Sequence, residues 1–194
     1  MGCGELRSTF FSCAGRRDGT QSIQRAQGPM SPIDGALLLL RIVVGLTIIA
    51  HGVNHARTLE GTARWFAKVG FKAAPLQARM SAITELGAGA LLVAGFLTPL
   101  AAAAIIATMT VAAGSIHRFN GFFIFRKGEG WEYVNMLAWV AFVIAWTGGG
   151  EYTVDRALGI DFGNVWSPLI GLAGLAAGVG QLILFWQRPA PVRQ

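Results

Sequence analysis

From residue 35 to residue 53 the sequence reads GALLLLRIVVGLTIIAHGV, nearly unbroken hydrocarbon with one fixed charge, Arg41. A run like this has few fates. At about 1.5 Å per residue it makes a helix comparable with the ~30 Å hydrocarbon core of a bilayer. A membrane strand would need apolar and polar residues in alternation, and the run is continuous instead. Four more apolar runs follow, at about 81–97, 100–116, 133–146 and 165–186. The middle three are short for a span, which ordinarily takes about 17 to 25 residues. Hydrophobic residues make up 53% of the chain and charged residues only 13%, about half the fraction of an ordinary globular domain. The expected fold class is all-α, a polytopic membrane helix bundle.

The net charge of +6 does not argue for nucleic acid. The basic residues lie between the apolar runs, where they set orientation and meet anionic headgroups. Residues 1–30 are rich in Gly, Ser, Gln and Arg without periodicity, which predicts a disordered tail. Met30 opens MSPIDGALLLL and would itself serve as a start, so residues 1–29 need not belong to the native protein. Cys3 and Cys13 both fall in this tail, and the absence of a CxxC pair argues against a dithiol relay within the chain.

Two connections are too apolar to be ordinary loops. Residues 57–79 place Trp65, Phe66, Val69 and Phe71 among Arg64, Lys68 and Lys72, the pattern of an interfacial amphipathic helix over about 61–71. The link 117–131 carries Phe119, Phe122, Phe123 and Phe125 and is expected to dip back against the bundle. Tryptophans bracket the fourth and fifth runs, as interfacial belts do. Ala90/Ala94, Ala103/Ala107 and Gly174/Gly178 have the small-xxx-small spacing that allows close helix approach.

Five alternating spans fix which polar residues can meet. Let the first helix start at end A and finish at end B. Its last turns then bring His51 and His55 to end B, one helical turn apart and on one face. Glu85 enters from the second helix about a turn from its start, His117 and Asn120 follow the third, and Glu132 and Tyr133 open the fourth. These seven residues make a candidate pocket. Its chemistry stays open at this stage. The set can hydrogen-bond a quinone carbonyl, relay protons, or lock the helix ends together. His51, His55, His117 and Glu85 also have the ligand types for a divalent metal, although no tight metal motif is present. At end A, Arg41 is expected to pair with Asp155 of the fourth-to-fifth connection, or else with Glu151, as a structural clamp.

At these positions the sequence resembles the DoxX family of small membrane proteins. The resemblance is carried by LLLLRIVVGL…AHG, TELGAGALLVAGFLTPLAA, HRFNGFF, WEYVNMLA and GGGEYTVDRALG, in that order, over about residues 35–160. It implies a DoxX-like four-helix transmembrane domain at 31–160, to which this chain adds a fifth transmembrane helix at 161–187 and a polar tail at 188–194. The family is related to the small membrane subunit of thiosulfate:quinone oxidoreductase, and members are labelled as oxidoreductase components. By position the family's recurrent polar residues fall on Arg41, His51, Glu85, Asn120 and, less closely, Glu132. Where members often carry Lys after the HG pair, this chain has His55.

The functional expectation is a membrane subunit of a redox system, associated with quinone and needing a partner oxidoreductase or borrowed cofactor for any catalysis. The competing expectation is a non-enzymatic scaffold or small-solute carrier whose polar cluster is structural. Basic residues crowd the end-B links, so end B is expected to face the cytoplasm, in a bacterial inner membrane, with homo-oligomers open.

Overall fold

A computed structural model describes residues 31–189. The tail at 1–30 and residues 190–194 lie outside the described part, so the expectations made for them are not carried further. The helices are α1 (Pro32–Arg57), α2 (Leu59–Val69), α3 (Ala74–Ala94), α4 (Thr98–Ser115), α5 (Glu132–Thr147), the single turn α6 (Val154–Ala157) and α7 (Gly163–Phe185). A 3₁₀ turn, His117–Phe119, follows α4. Among the described residues no strand forms, only an isolated antiparallel bridge between Phe71 and Trp186.

The long helices alternate in direction, and close packing shows how. Gly45 of α1 lies against the carbonyl of Gly89 in α3, and Gly52 against Leu86, so these two run antiparallel. In α7, Gly174 meets Ala103 and Gly178 meets Ala107 of α4, so that pair runs parallel. Helix α5 starts beside His51, through Tyr133, and the Gly149 that follows it abuts Thr98 and Arg41. Two of the small-residue pairs read from the sequence, Ala103/Ala107 and Gly174/Gly178, are thus the two sides of one interface. Ala90 and Ala94 instead face outward, and the α1–α3 contact rests on Gly45, Gly52 and Gly89.

The outside of the bundle is hydrocarbon. Leu39, Val43 and Leu46 of α1, Ile83 of α3, Trp139 and Trp146 of α5, and Ile183 and Leu184 of α7 are all exposed. Such a belt around a polar interior suits lipid and not water. By length and composition α1, α4 with its 3₁₀ extension, and α7 can cross a membrane. Helix α3 is 21 residues, long enough, but carries Gln77, Arg79 and Glu85. Two of these, Gln77 and Glu85, are buried inside the bundle. Helix α5, at 16 residues, reaches only about 24 Å.

The boundaries correct one expectation. The second long helix begins at Ala74 and not near Ser81, with Pro75 in its first turn, where proline's missing N–H costs nothing. Glu85 therefore lies about three turns into α3, not one. The amphipathic helix is α2, displaced two residues from the expected span. It turns Thr62 and Phe66 inward and leaves Arg64 and Lys68 exposed.

The fifth helix is stitched to the end-B surface. Lys72 N–H donates to Phe185 O at 2.7 Å, Gln187 N–H to Gly70 O at 2.9 Å, and Trp186 Nε1 to Val69 O at 2.9 Å. Gln181 reaches Gln77 at 2.8 Å. A side chain on Gly174 would run into the Ala103 backbone at 2.3 Å, whereas Gly180 faces open space. Gly174→Leu should therefore cost about 1–3 kcal/mol in detergent unfolding experiments, by forced overpacking. Gly180→Ala should stay within about 0.5 kcal/mol of the parent. Equal melting of the two variants would contradict the assigned α4–α7 contact.

Candidate functional site

At end A, Arg41 is 0% exposed. The expected Arg41–Asp155 ion pair is not formed. The guanidinium donates instead to Leu92 O at 3.2 Å, Val93 O at 3.4 Å and Tyr152 O at 2.5 Å. Two of these carbonyls belong to the last turn of α3, where a cation is favoured by the helix dipole, and the third to the connection before α6. Nε of Arg41 has no partner. Asp155 does the converse at the start of α4. Its carboxylate accepts from Leu97 N at 2.7 Å and from Thr98 N and Oγ1, each at 2.8 Å. Leu97 is held at a φ of 49°, a left-handed conformation that a leucine adopts only when its surroundings impose it. Gly95, at φ 67°, brings its backbone so close that a Cβ would lie 2.1 Å from Arg41 Nη1. The clamp is real, but it closes through the α3–α4 turn. Glu151 pairs elsewhere, with Arg156 at 2.9 Å on the surface.

At end B, a cavity of about 470 Å³ opens between α1, α3, α4 and the link before α5. Six of the seven candidate pocket residues line it: His51, His55, Glu85, His117, Asn120 and Tyr133. Glu132 does not. Its carboxylate accepts Ile124 N–H at 3.1 Å and so shapes the link. His117 and Asn120 line the cavity while bracing the same link. Nδ1 of His117 lies 2.9 Å from Glu129 O, and Asn120 Nδ2 donates to Gly128 O at 2.5 Å.

The centre of the site is Glu85, 4% exposed. Ser81, one turn earlier on α3, donates to its Oε1 at 3.1 Å. His55 Nδ1 comes within 3.2 Å of Ser81 Oγ and 3.1 Å of Glu85 Oε2. The Oε2 approach is at ion-pair distance but not aligned as a hydrogen bond, and this buried oxygen has no hydrogen-bond partner. Ser81 was not among the residues picked from the sequence, although its i,i+4 spacing to Glu85 was there to read. His51 stays on the rim, its ring 6.2 Å from Tyr133. The metal-ligand set His51, His55, His117 and Glu85 does not assemble: among the described residues no three His, Cys, Asp or Glu converge as a metal group.

The remaining walls are apolar or aromatic. Phe66 of α2 meets His55 edge-on at 6.1 Å and stacks toward Phe71 at 5.2 Å. Beyond Ser81 a second cavity, of about 520 Å³, continues between α3, α4 and α7. The two share Phe66, Phe71, Ser81, Thr108 and Val111 as walls. Leu76 and Met80, at the far side, are half exposed on the lipid face. This second cavity thus lies between the wall of the polar pocket and the lipid face.

A multi-pass helix bundle with a polar pocket at one end is therefore the class of protein that fold and site define. Within it, residues 36–118 match the DoxX family model. The match covers α1 to α4, including Arg41, His51, His55 and Glu85, and stops before Asn120, Glu132 and the last two long helices. No curated protein and no solved structure matches the chain.

Removing the Asp155 carboxylate leaves three donors around the α3–α4 turn unpaired. Asp155→Ala should lower unfolding stability by about 3 kcal/mol, while Asp155→Asn, which keeps one acceptor, should lose less. An Asp155→Ala protein that melts like the parent in detergent would rule out the clamp.

Proposed function

We propose that this chain is a membrane subunit of a redox system that receives an amphiphilic quinone in the end-B pocket. The observation that carries the reading is Glu85 Oε2: a buried carboxylate oxygen, without a hydrogen-bond partner, on a residue that lines a cavity of mixed polar and aromatic walls. Uncompensated buried polar atoms are costly, and ligand pockets combine mostly apolar walls with a few such convergent groups. The volume falls within the ~300–1,000 Å³ range of small-molecule sites. A quinone has carbonyl oxygens for hydrogen bonding at its head and an apolar tail suited to the neighbouring lipid-side cavity.

In this reading His55 and Glu85 receive the polar head of the quinone, Ser81 keeps the carboxyl group oriented, and Phe66 and Tyr133 flank the ring. Quinone reduction takes two electrons and two protons. The electrons come from a partner oxidoreductase, and His55 with Glu85 supplies the proton path from the end-B surface. End B faces the cytoplasm of a bacterial inner membrane on this proposal, because the basic links lie there. A second reading, a scaffold in which His55–Ser81–Glu85 only braces α1 against α3, is favoured by the direct contact of these side chains.

Equilibrium binding of a short-tailed benzoquinone, followed by tryptophan quenching, separates the two. Glu85→Gln and His55→Ala should each weaken binding about tenfold, the worth of one good hydrogen bond, with melting little changed. The scaffold reading predicts the reverse: no binding by the parent, and both variants melting markedly lower.

A further inference from the structure

A third cavity, of about 630 Å³, lies between α4, α5 and α7 on the other side of the bundle. It touches the end-B pocket only through Met109 and Val134, which wall both. Its sides are Leu172, Leu175 and Val179 of α7 and Trp139 of α5, all of them exposed, so it opens sideways toward lipid as a groove. The groove has a polar end. Arg118, on the 3₁₀ turn at end B, lines it there.

Arg118 does not stand alone. Its guanidinium carbon lies 4.6 Å from the Phe119 ring centre and 5.3 Å from that of Trp186. Arg188, just past α7, sits 4.6 Å from the same Phe119 ring. Phe119 and Trp186 are themselves stacked, 6.2 Å apart. Two guanidinium groups are thus gathered on one aromatic pair. Among the described residues neither has an acidic partner, since the ion pairs are His55–Glu85, Arg64–Glu60 and Arg156–Glu151. Two cations that share one ring without an acidic partner make a positive patch that attracts an anion. Planar guanidinium forks suit a phosphate oxygen pair, and weak hydration suits them to the membrane interface.

We propose that this groove is a binding site for an anionic phospholipid, with the phosphodiester between Arg118 and Arg188 and an acyl chain along α7 against Trp139. The two halves of the site demand the two halves of one molecule. A free phosphate has no use for the apolar groove, and a zwitterionic lipid leaves the excess positive charge uncompensated. Basic sites between transmembrane helices recognise anionic headgroups by this combination.

The test is lipid retention by the full chain in native mass spectrometry, after exchange into micelles doped equally with phosphatidylglycerol and phosphatidylcholine. The parent should retain phosphatidylglycerol at least fivefold over phosphatidylcholine. Arg118→Gln/Arg188→Gln should abolish the preference, and Ala138→Phe, which fills the groove and leaves both arginines, should cut retention of phosphatidylglycerol several-fold. Equal retention of both lipids by the parent would overturn the proposal without recourse to any variant. So would an unchanged preference in the double variant, full retention in Ala138→Phe, or displacement of the lipid by millimolar inorganic phosphate.

Discussion

A guanidinium with no exposure to solvent must find its partners inside the protein, and at Arg41 those partners are two carbonyls of the last turn of α3 and that of Tyr152. The contact does more than satisfy a charge. It fixes where α3 ends against α1, and Asp155 fixes where α4 begins four residues later. Opposite charges therefore sit on opposite helix dipoles across one tight turn. With the turn held, the rest of α3 descends along α1 with its backbone pressed on Gly45 and Gly52. That register is what brings Glu85 and Ser81 opposite His55. The end-A clamp is thus a structural condition for the end-B pocket.

The pocket itself combines two environments that rarely share a wall. On one side a carboxyl, an imidazole and a hydroxyl form a short chain of contacts between α1 and α3. On the other, aromatic rings of α2 and the α2–α3 link close over the site and also wall the second cavity. A ligand with a polar head and an apolar body matches both. The extra helix α7 contributes indirectly, because its end is bonded to Gly70 and Lys72 and so holds the α2–α3 link in place.

Much of this was legible before any coordinates. Continuous apolar runs fixed the helices, their alternation sent all three histidines to one end, and the amphipathic pattern of 61–71 located α2. Other features were not legible, for physical reasons. Arg41 binds backbone carbonyls, which every residue possesses, so no residue type marks them as partners. Glu132 has the composition of a pocket residue, but an extended link offers it the Ile124 amide first. The early start of α3 had a signal in Pro75, yet Gln77 and Arg79 made the first turns look like a loop. Gln77 is buried against the bundle and Arg79 stays on the surface, so both fit a helix.

The central claim, that the end-B cavity receives a quinone-like amphiphile against Glu85, is tested most directly by photolabelling with an azidoquinone and mapping the modified peptides. The account predicts label on Phe66, Tyr133 and the α3–α4 walls around Ser81 and Thr108, lost in the presence of excess unlabelled quinone. Label spread evenly over the lipid-facing residues of α1 and α7, and insensitive to competitor, would contradict it.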